Sequence, residues 1–85
     1  MSQQEKRLKR LAQKPRDYTW DELTALLSSL GYQVLGSGKT GGSRRRFSHP
    51  DHGDITFHQP HPGNLLKRYQ VEQIVDFLKQ EGFLP

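Results

Sequence analysis

KTGGSRRRFSHPDHGDITFHQPHP, residues 39–62, is the stretch that decides the fold of this 85-residue chain. It contains all four histidines and three consecutive arginines. Residues 43–49 and 54–58 are predicted to be strands, because Pro50-Asp51-His52-Gly53 between them is a turn sequence with a glycine available for positive φ. The stretch therefore predicts a short, basic, histidine-bearing β-hairpin.

Side chains alternate between the two faces of a strand. If the apolar residues of the hairpin face a core, its polar residues share the opposite face: Arg44, Arg46, Thr56 and His58. Arg45 then lies on the core side, where its charge must reach the sheet margin or pair with an acid. The register stays open, since Phe47 can pair with Ile55 or with Phe57, and this decides whether His58 lies opposite Arg44 or Arg46.

A helix is predicted on each side of the hairpin. Thr19-Trp20-Asp21-Glu22 is a capping box, and an apolar stripe at helical spacing follows it over residues 20–30 until Gly31, a good left-handed cap. The second helix carries the stripe Val71, Ile74, Val75 and Leu78 and ends at Gly82. Residues 32–35 are β-prone and alternating. The expected fold is α+β, in the order α-β-β-β-α, with a three-stranded antiparallel sheet and two helices on one of its faces.

The positive charge of the chain is concentrated in residues 1–16. Residues 1–16 carry six basic side chains and one acid, whereas the rest carries seven bases and eight acids. We predict a basic N-terminal arm at 1–18, partly helical or disordered, followed by a folded domain at 19–85. The high pI is a property of the arm, so nucleic-acid binding by the domain has to rest on local clusters.

Composition excludes several classes of protein and site. There is no cysteine, hence no disulfide, thiolate zinc site or cysteine nucleophile. No apolar run is long enough for a signal peptide or membrane span, so a cytoplasmic protein with no membrane partner is expected. Gly38-Lys39-Thr40 has neither the spacing nor the following helix of a phosphate-binding loop. His49 and His52 are three residues apart beside Asp51 and Asp54, but this spacing alone is weak evidence for a metal site, and none is predicted.

The candidate chemistry is RNA cleavage through the 2′-hydroxyl. That reaction needs a base, an acid and positive charge for the phosphorane, and histidine can fill either proton role near neutral pH. His58 and His61 bracket a proline-containing loop and are the catalytic candidates. The candidates for contacting RNA phosphates are Lys39, Ser43, Arg44, Arg46, Lys67 and Arg68.

With these pieces in place, the chain resembles the HicA family of bacterial toxin–antitoxin systems over roughly residues 19–84. The resemblance rests on Leu30-Gly31-Tyr32, on Gly42-Ser43-Arg44-Arg45-Arg46-Phe47, on His58-Gln59-Pro60-His61-Pro62-Gly63 and on the helix start at Lys67-Arg68-Tyr69-Gln70. It implies a fold like the double-stranded RNA-binding domain. It also implies an endoribonuclease that cuts messenger RNA without metal or other cofactor and is blocked by a HicB-like antitoxin protein.

The family signature is Gly-Ser-His, with a catalytic histidine on the second strand, and this chain has Gly42-Ser43-Arg44 instead. Three interpretations stay open. The chain is a nuclease in which His58, with or without His61, replaces the missing histidine; it is an inactive RNA-binding or antitoxin-binding domain; or it is an interaction domain that shares only the fold.

Overall fold

A computed structural model describes residues 3–35, 44–60 and 63–85 of the chain. The helices are α1 (Gln3–Ala12), α2 (Trp20–Ser29) and α3 (Arg68–Gln80), and the strands are β1 (Gln33–Leu35), β2 (Arg44–His49) and β3 (Gly53–His58). The strands form an antiparallel sheet in the order β1-β2-β3. The predicted α+β class is confirmed, and residues of the expected arm add the helix α1. Nowhere in the described ranges is a helix both long and apolar enough to pass through a membrane.

The ends of α2 are set by local sequence, as predicted. The Thr19 hydroxyl accepts a hydrogen bond from the Glu22 amide at 3.1 Å, and the Glu22 carboxylate accepts one from the Thr19 amide at 3.2 Å. Both bonds satisfy donors that a helix leaves unpaired at its start. At the other end Gly31 has φ +102°, the left-handed conformation that stops the helix.

The hairpin faces the helices with its aromatic side chains. Phe47 and Phe57 are 0% and 3% exposed, and their ring centroids lie 6.0 Å apart. Trp20 at the start of α2 adds a ring 5.7 Å from that of Phe47. Arg44, Arg46, Thr56 and His58 are all exposed on the other face, so the predicted alternation is confirmed.

Helix α1 packs onto the rest of the molecule through Leu11, which is completely buried. Beside it, the Arg10 guanidinium donates to the Glu22 carboxylate in a bidentate pair and to Asp17 Oδ1 at 3.2 Å. The hydrogen bond from Arg10 lowers the pKa of the Glu22 carboxyl, and burial of the ring raises that of the neighbouring Tyr18 hydroxyl. Helix α1 therefore contributes to the core.

One pairing was not expected from the sequence. Residues 64–66, just before α3, lie along residues 18–20 as a short antiparallel bridge between Thr19 and Leu65. Trp20 N donates to the Asn64 carbonyl at 2.8 Å, and Leu66 N donates to the Tyr18 carbonyl at 2.9 Å. The bridge holds the start of α3 against the connection between α1 and α2.

Candidate active site on the open face of the sheet

The hairpin register places His58 directly opposite Arg44. Phe47 pairs with Ile55, which settles the alternative left open by the sequence, and Arg44 is the cross-strand partner of His58 at the last position of the ladder. Opposed residues in an antiparallel pair have their Cβ atoms about 5 Å apart. Both side chains are exposed, so an imidazole and a guanidinium are neighbours on the face turned away from the helices.

Arg46 lies on the same face one pair further along the strand, opposite Thr56. Its Nε is 3.3 Å from Asp54 Oδ2, and both side chains are about half exposed. This carboxylate offsets part of the charge of Arg46. Arg44 has no acidic partner within the described ranges, so it offers the less compensated charge beside His58.

Arg45 lies on the side of the sheet that faces the core, as alternation predicts, although it carries a charge. It pairs with Phe57 in the ladder and is half-buried. Its guanidinium Nη1 bends back to donate to the Arg44 carbonyl at 3.0 Å. Its polar head therefore reaches the margin of the sheet, in the manner of a snorkelling side chain.

Gln70 holds the end of β3 against the first turn of α3. Its side chain is buried, with 5% exposure, and its Nε2 donates to the His58 carbonyl at 2.8 Å. Its Oε1 accepts from the Lys67 amide at 2.9 Å. Because lysine has no acceptor to complete a reciprocal capping box, Gln70 alone links the backbone of His58 to the N-cap of α3.

This role of Gln70 was not predicted from the sequence. Gln70 precedes the apolar stripe of α3 by one position and lies four residues before Ile74, on the same side of the helix. A glutamine at the third helical position is also the acceptor half of a capping box. These two signals together could have identified it as a buried link.

Lys67 and Arg68 are exposed at the start of α3, in the same turn as Gln70, which bonds the His58 carbonyl. Arg68 Nε is 3.2 Å from Glu72 Oε1, four residues along the helix, in a pair whose side chains are 71% and 44% exposed. Such an exposed pair contributes little, about 0.3–0.5 kcal/mol. The Arg68 guanidinium can therefore leave Glu72 and bind another anion at little cost in free energy.

At the turn of the hairpin, His49 and His52 make contacts that hold the structure together. His49 Nδ1 accepts from the Asp51 amide at 2.9 Å, so Nε2 carries the proton and donates to the Leu30 carbonyl at 3.0 Å. His52 Nδ1 lies 2.9 Å from Glu81 Oε1, and its ring is 4.6 Å from that of Phe83. These contacts fasten the turn to the ends of α2 and α3.

His61, Lys39 and Ser43 lie outside the described residues, so their assigned roles stay predictions. Within residues 3–35, 44–60 and 63–85, no three or more histidine or acidic side chains are grouped as they would be around a metal ion. Both ring nitrogens of His49 are engaged by backbone groups. The His49–His52 spacing is thus accounted for by packing.

The chain matches the model of a known protein family. The family model described as HicA toxin of bacterial toxin–antitoxin matches residues 20–83, which is most of the chain and includes α2, the sheet and α3. Neither a curated protein nor a solved structure matches.

Proposed function

Since the chain belongs to the HicA toxin family, we propose that it is a metal-independent endoribonuclease, the mRNA-cutting toxin of a toxin–antitoxin pair. The observation that supports this most directly is the cross-strand pair of His58 and Arg44 on the exposed face of the sheet. A proton-transfer group and a phosphate-binding cation are then adjacent, which is what cleavage through a 2′-hydroxyl requires.

In the proposed reaction, the two candidate histidines share the proton transfers. One removes the proton of the RNA 2′-hydroxyl, whose oxygen attacks the neighbouring phosphorus and forms a 2′,3′-cyclic phosphate. The bond from phosphorus to the 5′-oxygen breaks, and the other histidine gives its proton to that oxygen. We assign these roles to His58 and His61, three residues apart in the sequence, with no metal or organic cofactor.

The arginines of β2 supply the electrostatic part. The guanidinium of Arg44 lies opposite the His58 position and offsets the extra negative charge of the phosphorane. Arg46, already near Asp54, contacts a flanking phosphate. Lys39, Ser43, Lys67 and Arg68 extend the contacts to the RNA backbone, which position the strand without reading its sequence.

A HicB-like antitoxin is the proposed protein partner. A partner that covers the open face of the sheet would hide His58 and Arg44 together, since both are exposed on one surface. Inhibition then needs no change in the fold of the toxin.

The second candidate is an RNA-binding or antitoxin-binding domain without activity. Arg44 follows Gly42-Ser43 at the place where the resemblance implies a catalytic histidine, and this substitution favours binding over cleavage. The two functions share the same surface and differ in whether His58 transfers a proton.

The test combines induced expression with RNA digestion by the purified protein in EDTA. Wild type is expected to arrest growth and to cut RNA, and His58→Ala is expected to lose both while still binding RNA. Lys79→Ala, an exposed change at the far end of α3, is the control for handling and folding. Undiminished cutting by His58→Ala would remove His58 from the mechanism. Salt-sensitive binding by wild type with intact RNA recovered would establish the second candidate.

A further inference from the structure

A second basic site lies beside the start of α3. A cleft of about 200 Å³ opens between the α1–α2 connection and the first turn of α3, and its walls are Lys14, Pro15, Arg16, Leu66, Arg68 and Val71. The bridge between residues 18–20 and 64–66 brings these two segments together. Two of the cations, Lys14 and Arg16, come from the residues assigned by sequence to a basic arm.

No acid lines the cleft, although acids are present nearby. Asp17, the acid next to Arg16 in the chain, accepts from Arg10, as does Glu22. Lys14 and Arg16 have no ion-pair partner in the part of the chain that the structure describes. Arg68 is paired with Glu72 at 3.2 Å, so the uncompensated positive charge of the cleft is that of Lys14 and Arg16, which favours an anionic ligand.

Lys14 has an unusual backbone for its residue type. Its φ is +52°, and no other non-glycine residue in the described ranges has a positive φ. It lies just beyond the end of α1, and its amide donates to the Leu11 carbonyl at 2.8 Å. Glycine would end the helix there without the steric cost of a Cβ. Strained backbone conformations cluster at functional sites, so the Lys14 side chain is a candidate for binding a ligand.

The rest of the wall is apolar. Leu66 and Val71 are 6% and 2% exposed, and Pro15 is half-buried. Apolar atoms beneath a group of cations suit a ligand with charged and uncharged parts. A nucleotide has both, since its phosphate can meet the cations while its sugar or base lies against the wall.

The cleft and the proposed catalytic histidine contact the same turn of α3. Arg68 and Val71 line the cleft, and Gln70 of the same turn donates to the His58 carbonyl at 2.8 Å. The His58 side chain is on the face of the sheet turned away from the helices, so we expect only a strand that extends beyond His58 to reach the cleft.

We propose that this cleft is an RNA subsite, in which Lys14, Arg16 and Arg68 bind the backbone of a strand that extends beyond the bond that is cut. The proposal rests on the proposed function in taking RNA as the ligand. It adds a binding contribution from the N-terminal residues, which lie outside the family match at 20–83.

The test measures binding of 2′-O-methyl oligoribonucleotides, which lack the attacking hydroxyl and stay intact whether or not the protein is a nuclease. Fluorescence anisotropy compares a three-nucleotide and a nine-nucleotide strand at several salt concentrations. For the double change Lys14→Ala and Arg16→Ala, loss of two phosphate contacts lowers the salt slope by about 1.4 and weakens nine-mer binding about tenfold at 0.15 M salt. Binding of the three-mer changes little. Lys79→Ala is the control, because Lys79 is 11 residues and about 16 Å further along α3 than Arg68. It should leave the binding of both strands unchanged.

Lys14→Gly separates binding from folding. It removes the ammonium while relieving the positive φ, so the urea midpoint should stay or rise while nine-mer affinity falls. Unchanged nine-mer affinity and salt slope in the Lys14 and Arg16 variants would overturn the subsite, provided that Arg44→Ala weakens binding. If these variants instead weaken only the complex with an antitoxin, the cleft serves a protein and the proposal is likewise wrong. Failure of wild type to bind either strand at low salt would overturn the proposed function itself.

Discussion

Replacing Gln70 tests whether a buried amide holds the end of β3 in place. Gln70→Met keeps a similar side-chain volume but removes the donor to the His58 carbonyl and the acceptor for the Lys67 amide, bonds of 2.8 Å and 2.9 Å. Each backbone group left unpaired costs about 1–3 kcal/mol, and the lower value applies because both residues border solvent. The expected loss in free energy of unfolding is about 2 kcal/mol, or a decrease in melting temperature of about 8–16 °C for a chain of this size.

Gln70→Glu makes the test sharper because it depends on pH. At neutral pH the new carboxylate still accepts from the Lys67 amide, but it faces the His58 carbonyl with no proton to donate. Burial and this carbonyl raise the folded-state pKa of the new carboxyl above its unfolded value. The free energy of unfolding of Gln70→Glu is therefore closest to that of wild type below the unfolded-state pKa of about 4.3. It falls relative to wild type as the pH rises through the folded-state pKa.

Urea denaturation at pH 4 and pH 7 measures both variants against wild type. Gln73→Met is the matched control, since Gln73 is exposed on the same helix and its replacement should change the midpoint little. NMR signals of the His58 imidazole should shift in both Gln70 variants and stay in the control. Wild-type stability in Gln70→Met, or an equal loss for Gln70→Glu at both pH values, would refute the role assigned to this side chain.

Three further changes test other parts of the fold. Leu11→Ala should cost about 2–5 kcal/mol in urea denaturation, because Leu11 is completely buried; a cost below 0.5 kcal/mol would show that α1 is not packed. Gly31→Ala combines a φ of +102° with a Cβ only 2.8 Å from His49 Nε2, so it should cost more than 1 kcal/mol, whereas wild-type stability would contradict this geometry. Arg10 lowers the folded-state pKa of Glu22, so the pair stabilises above the unfolded pKa and this is lost on acidification. Glu22→Gln should therefore flatten the fall in stability below about pH 5, and an unchanged acid profile would contradict the pairing.

The parts of the fold that local sequence determines were predictable. The capping box at Thr19, the cap at Gly31 and the two faces of the hairpin each follow from short-range rules of hydrogen bonding and alternation. The register was not, because Ile55 and Phe57 are both apolar and lie on the same face of β3. The structure pairs Phe47 with Ile55 and His49 with Gly53, which leaves residues 50–52 as the turn, and hairpin register depends on turn length.

Contacts between distant segments could not be predicted from the sequence. The bridge between residues 18–20 and 64–66 is made by main-chain groups, which leave no pattern in side-chain type. Leu11 belongs to a helix with so few apolar residues that its burial depends on a partner surface elsewhere in the chain. The exposed face of the hairpin was predicted, whereas the buried Gln70 beside its end needed the structure.

The described histidines of this hairpin differ in the hydrogen bonds that their rings make. At the turn, His49 uses both ring nitrogens to join backbone groups, and His52 bonds Glu81. At the opposite end, His58 is held through its main-chain carbonyl by Gln70, and its ring has no hydrogen-bond partner among the described residues. A general acid or base must have a ring nitrogen that can reach the proton it transfers. The rings of His49 and His52 already bond other groups of the fold, whereas Gln70 holds His58 only through its carbonyl, so His58 is a better candidate than the histidines of the turn.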